Sequence, residues 1–135
     1  MKRRTGIQVG GCLVLLALGV GALFEIGVFP TRGMYCFGRT TFSAPAWRAA
    51  AGQNGPVTAR GCMVDDYLRR HPPVGRTRAE ILRELGQPRP TSYFREYDLV
   101  YWLGSERGFM AIDSEWLVIR FDSAGRAIEG RLVTD

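Results

Sequence analysis

The hydrophobic repeat of this chain changes at Pro88. Before it, apolar residues recur at helical spacing: Met63, Val64, Tyr67 and Leu68 share a face over residues 58–70, and Ile81, Leu82 and Leu85 share one over residues 77–85. After it the repeat is two. Tyr97, Leu99, Tyr101 and Leu103 alternate with Asp98, Val100 and Trp102, and Leu117, Ile119 and Phe121 alternate with Trp116, Val118 and Arg120. Helices followed by strands with short connections favour an antiparallel meander, covered on one face by the helices and wet on the other. The expected fold is therefore α+β, in the order ααβββ.

The local signals support that order. Thr77 is placed to cap a helix, and Glu80, three residues on, can reach back to complete a capping box. Gly86 and Pro88 close the same helix. His71-Pro72-Pro73 ends the one before it, where Asp65, Asp66, Arg69 and Arg70 form a charged outer face with i,i+4 pairs. Asp122-Ser123-Ala124-Gly125 reads as a hairpin connection, and Arg126 to Thr134 as a third strand with Ile128 and Leu132 on one face. Leu117, Ile119, Phe121, Ile81, Leu82 and Leu85 are the expected core. Ser43 is placed to cap a short turn through Trp47 that ends at Gly52, with Trp47 docking on the main domain.

Three parts follow from the sequence: an anchor at 1–30, a linker at 31–57 and a domain at 58–135. Ile7 to Phe24 is an apolar run broken only by Gln8, long enough for a bilayer core of about 30 Å. Lys2, Arg3 and Arg4 precede it, so the run predicts a single span over residues 7–29 in a bacterial inner membrane, with the C-terminal domain in the periplasm. A signal peptide cleaved before Ala22 is the alternative. Cys12 follows a lipobox-like Val9-Gly10-Gly11, but the apolar run lies after it rather than before.

Charge excludes one class of function. Residues 1–42 carry five basic residues against Glu25, whereas residues 43–135 carry 13 arginines against 12 carboxylates. The domain is nearly neutral, and a nucleic-acid binder should carry its positive charge there. His71 is the sole histidine, so a multi-histidine metal site is excluded, and no G-x-S-x-G elbow or C-x-x-C pair is present. No cofactor is expected. Cys36 and Cys62 both fall outside the cytoplasm, where a disulfide is permitted; the alternative is two free thiols too far apart to meet.

Gly75-Arg76-Thr77-Arg78-Ala79-Glu80-Ile81-Leu82-Arg83-Glu84-Leu85-Gly86-Gln87-Pro88 is similar to the "G-x-T-x-x-E-V-x-x-x-L-G-x-P" helix of the SmpA/OmlA family, the BamE-like domains of bacterial outer-membrane assembly. Tyr101-Trp102-Leu103-Gly104 resembles that family's first strand. Leu117 to Asp122 with Gly125-Arg126 resembles its second strand and hairpin. The chain departs from the family in having no lipobox and in the added segment around Trp47, a pattern that also suits an uncharacterised membrane-anchored group sharing the domain. The resemblance implies a two-helix, three-strand envelope domain acting through protein contacts.

Tyr97, Tyr101, Trp102 and Trp116 crowd the first two strands and are the expected partner surface. The expectation is thus a non-catalytic, membrane-tethered domain that binds an envelope protein. Alternatives are an exported inhibitor-like or small-ligand-binding domain, or an enzyme using the 104–114 loop with Glu106, Asp113 and Glu115.

Overall fold

A computed structural model describes Cys36, residues 41–107 and residues 112–135. The expected span at 7–29, Cys12 and most of residues 31–40 lie outside the described residues. No helix among those described is long and apolar enough to cross a membrane. The elements are α1 (Ala44–Ala49), a 3-10 turn (Ala50–Gly52), α2 (Ala59–Arg70), α3 (Arg78–Leu85), β1 (Leu99–Ser105), β2 (Ser114–Phe121) and β3 (Ala127–Thr134). The class is α+β, with one three-stranded antiparallel sheet in the order β1-β2-β3.

Both longer helices are started by their own side chains. Thr58 Oγ1 accepts from Gly61 N (3.0 Å) at the head of α2, and its hydroxyl donates to Leu103 O of β1 (2.6 Å). At α3 the capping box is complete: Glu80 N donates to Thr77 Oγ1 (3.3 Å), and Thr77 N donates to Glu80 Oε2 (2.8 Å). Gly86, at φ 70°, closes α3 with its N–H on Leu82 O (2.8 Å). Neither helix is long enough to stand alone in water. Each is held by its apolar face: Met63, Val64 and Tyr67 from α2, Ile81 and Leu85 from α3, all buried. Full burial of Ile81 and Leu85 contributes roughly 1.5–3 kcal/mol each.

These side chains pack on the odd-numbered residues of the sheet. Leu99, Tyr101, Leu103, Leu117 and Ile119 are all buried in one cluster with them. Of the expected core, Leu82 and Phe121 are only partly buried at its margin. The segment expected to be a linker also enters the core. Phe42 and Trp47 belong to the same cluster, and Trp47 is fully buried between Tyr67 and Tyr101. A disulfide joins Cys36 to Cys62 of α2, with Cα atoms 5.6 Å apart. Ser43 stands at the start of α1 as expected, but its side chain makes no cap bond; its carbonyl accepts from Trp47 N (2.8 Å) instead.

Two irregularities adjust the strands. The register of β1 on β2 shifts between Trp102 and Gly104, so Leu103 is the extra residue and Gly104 takes φ 110°. The register of β3 shifts where Phe121 faces Ala127 and Arg120 faces Glu129, which makes Ile128 the extra residue. Ile128 is accordingly exposed while Leu132 packs on the core, so the two do not share a buried face. β1 begins at Leu99 rather than Tyr97, because Asp98 is used as a cap: its Oδ2 accepts from Phe121 N (2.8 Å).

Candidate functional site

The second face of the sheet is built from Val100 and Trp102 of β1, Trp116 and Val118 of β2, and Val133 of β3. It is not simply wet, as expected from the sequence. After α3 the chain folds back over it through Phe94, a non-glycine residue at φ 51°. Tyr93 stacks on Trp116 at 5.2 Å between centroids, and Phe94 meets the same indole edge-on at 6.1 Å. Val100, Trp116 and Val118 are buried as a result.

The cover is incomplete, and a cleft of about 360 Å³ remains beside it. Its apolar lining is Val100, Trp102, Trp116 and Tyr93; Ala50, Ala51, Gln53 and Asn54 from the 3-10 turn and the chain after it, and Arg89, Pro90 and Thr91 from the chain after α3, also line it. Thr58 and Arg60, from the cap and first turn of α2, and Ser114 and Asp135 complete the lining. Trp102 and Trp116 stand opposite one another across β1 and β2, so the pair forms a continuous aromatic surface. Such a space is at the small end of the range for ligand sites, mostly apolar with a few polar groups.

The four expected surface residues divide between two faces. Trp102 is half-buried and lines the cleft; Trp116 also lines it but is buried. Tyr97 is half-buried on the same sheet face, outside the cleft, with its hydroxyl donating to Glu129 Oε1 (3.2 Å) and accepting from Arg131 Nη2 (2.6 Å). Tyr101 corrects the expectation: it points into the core, 1% exposed, and donates to Gly86 O (2.7 Å). Burial raises its phenol pKa above the usual range. Alternation along one strand separates Tyr101 from Trp102, so both cannot belong to one surface.

The alternative site at the 104–114 loop is differently disposed. None of Glu106, Asp113 and Glu115 lines the cleft. Arg107 ties this region to α2, donating from Nη1 and Nη2 to both carboxylate oxygens of Asp65 (2.7 Å each) and from Nε to Glu115 Oε1 (3.0 Å). Residues 108–111 lie outside the described residues. Asp65 therefore pairs across the fold, while Asp66 holds Arg70 and, at 2.5 Å, Arg69, and accepts from Phe42 N (2.7 Å). Those bonds, led by Arg70, hold the Asp66 carboxyl at about 2. His71 stacks on Tyr67, with Nδ1 3.3 Å from Glu84 Oε1. Among the described residues no group of three His, Cys, Asp or Glu side chains could hold a metal ion.

Sequence reasoning passed over Arg60. It is the one buried arginine among the described residues, 5% exposed, in the first turn of α2. Its Nε donates to Trp47 O (3.0 Å), and its guanidinium carbon lies 5.4 Å from the Trp47 ring centroid and 5.6 Å from that of Tyr101. Desolvation lowers its pKa from the usual arginine value. An arginine between helix-start signals reads as ordinary helix surface; its burial depends on Trp47, 13 residues away.

Fold and cleft together define a small α+β domain with a cleft lined by aromatic side chains and by Arg60 and Arg89. Comparison with family models, with curated proteins and with solved structures gives no match for the chain.

Proposed function

We propose that this chain is a non-catalytic domain of the bacterial cell envelope, tethered to the inner membrane by residues 7–29, which binds another envelope protein through the cleft on its second sheet face. The observation that carries this reading is the cleft itself. A small domain that has already filled one core leaves an aromatic wall of Trp102 and Tyr93 open beside it, with Arg89 in the lining. Tyr, Trp and Arg are the residues that dominate protein contacts. The resemblance of the α3 helix and of the strands to BamE-like domains favours the same setting. The disulfide at Cys62 accords with an oxidising compartment. The exported, inhibitor-like alternative uses the same cleft and differs only in cleavage of the N-terminal segment.

Site-specific photocrosslinking in intact cells tests this. A crosslinker at Tyr93, half exposed on the cleft wall, is expected to trap one discrete envelope protein, and one at Ile128, equally exposed at the bulge of β3, to trap none. Identical patterns from both positions, or none from Tyr93, would reject the cleft as the contact. A reporter fused after Asp135 that works only in the cytoplasm would reject the location.

A further inference from the structure

Arg60 differs from the ion-paired arginines of the domain. Arg70, Arg78 and Arg107 are more exposed, and each meets a carboxylate. Arg60 is buried, and among the described residues its sole hydrogen bond is the one from Nε to Trp47 O. Its two Nη atoms have no protein partner there, yet they are not sealed like the indole nitrogens of Trp47 and Trp116, which are buried without partners. Arg60 itself is among the residues that line the cleft. A buried cation without a counter-charge is unfavourable, and the free edge of a guanidinium matches the two oxygens of a carboxylate.

The rest of the cleft narrows the occupant. Trp102, Trp116, Tyr93 and Val100 offer an apolar wall to whatever carries the charge. Arg89 adds a second cation, but Asp135 stands in the same lining, its Oδ1 accepting from Ser114 N (2.7 Å). A monoanion suits that balance better than a dianion such as phosphate. In about 360 Å³ the carboxylate and the apolar body must belong to one small unit. An acidic side chain lacks an apolar body of its own; the last residue of a polypeptide carries both on one Cα. Resting on the reading of this cleft as a protein-binding site, we infer that it takes the C-terminal end of a partner polypeptide, its carboxylate on Arg60 and its apolar or aromatic last side chain against Trp102 and Trp116.

The test is calorimetric titration of the full chain in detergent with a glycine–serine hexapeptide ending in phenylalanine, followed also by tryptophan fluorescence. The free acid is expected to bind at least tenfold more tightly than the C-terminal amide. Arg60→Met is expected to erase that preference; its melting temperature is measured alongside, since the change removes a buried charge but also the donor to Trp47 O. Should that variant not fold, Trp102→Ala and Arg89→Gln are each expected to weaken binding of the acid at least threefold. Equal affinity for acid and amide overturns the proposal. So does full displacement of the peptide by inorganic phosphate, and so does N-acetylphenylalanine binding as tightly as the peptide, which makes the occupant a free small acid. A discrete crosslink from Tyr93 with no acid preference would reject the chain end alone. Acid preference with no crosslink would reject the cleft as the contact with an envelope protein and leave the chain-end preference standing.

Discussion

Replacing Gly61 with alanine sets two effects of opposite sign against each other. Gly61 lies inside the first turn of α2, where alanine is the better helix former by up to about 1 kcal/mol. On propensity alone, Gly61→Ala should stabilise. The packing argues the reverse. A Cβ on Gly61 would approach the Leu103 carbonyl oxygen to under 3.0 Å, with the Leu103 carbonyl carbon at 3.5 Å. The obstacle is backbone of β1, which cannot swing aside as a side chain can. Moving α2 instead would stretch the Thr58 Oγ1 to Leu103 O bond, worth about 1 kcal/mol. Overpacking of this kind costs about 1–3 kcal/mol, so the net expectation is a loss of about 2 kcal/mol. For a domain of this size that lowers Tm by roughly 8–15 °C. Urea and thermal unfolding followed by tryptophan fluorescence would measure it. Gly52→Ala, where an added Cβ meets nothing within 4 Å, is the control and should stay within about 0.5 kcal/mol of the parent. A Gly61→Ala protein as stable as the parent, with the control unchanged, would refute the close approach of α2 to β1.

Reduction of the Cys36–Cys62 bond, which closes a separation of 26 residues, is expected to cost about 3.5 kcal/mol in the chain-entropy picture; denaturation with and without reductant reads it, and coincident curves would contradict it. Tyr101→Phe strips Gly86 O of its donor and should lose about 1 kcal/mol of stability while leaving Tyr93 crosslinking unchanged; loss of crosslinking with full stability would return Tyr101 to the surface. Asp66 is held at about 2, below its unfolded value of about 3.9. Its contribution is therefore complete above pH 4 and lost as pH falls through 2, so Asp66→Asn should flatten the acid limb of stability against pH between those values; an unchanged slope refutes the assignment.

What the sequence disclosed, and what it withheld, follows from the range of the interactions. The Thr77–Glu80 box, the Gly86 stop and the two-residue repeat of β2 are set within a few residues, and all are present in the fold. Grouping Leu99, Tyr101 and Leu103 against Val100 and Trp102 was also possible from spacing. Which group faces the helices was not, because both are apolar and aromatic; the choice rests on Tyr67, Trp47 and Leu85 arriving from elsewhere in the chain. Of the two bulges, that at Leu103 is marked by the glycine after it, Gly104, whereas neither neighbour of Ile128 marks the other bulge. The cleft depends on Phe94 turning the chain back, and its cation on an arginine that local pattern assigns to solvent.

The bulge in β3 has a consequence for how copies of this domain meet. β3 is an outer strand of the sheet, and an outer strand offers its backbone to any other chain in extended form. Here Ile128 interrupts the ladder near the start of the strand, and Arg131, bridged to Glu129, plants charge midway along it. At the other edge, Val57 bridges to Gly104, and Ser105 N donates to Pro56 O (3.0 Å), so β1 is already partnered at its far end. The sheet is thus guarded on both flanks against stacking edge to edge into larger sheets, and many copies can crowd together without the strands of one continuing into the next.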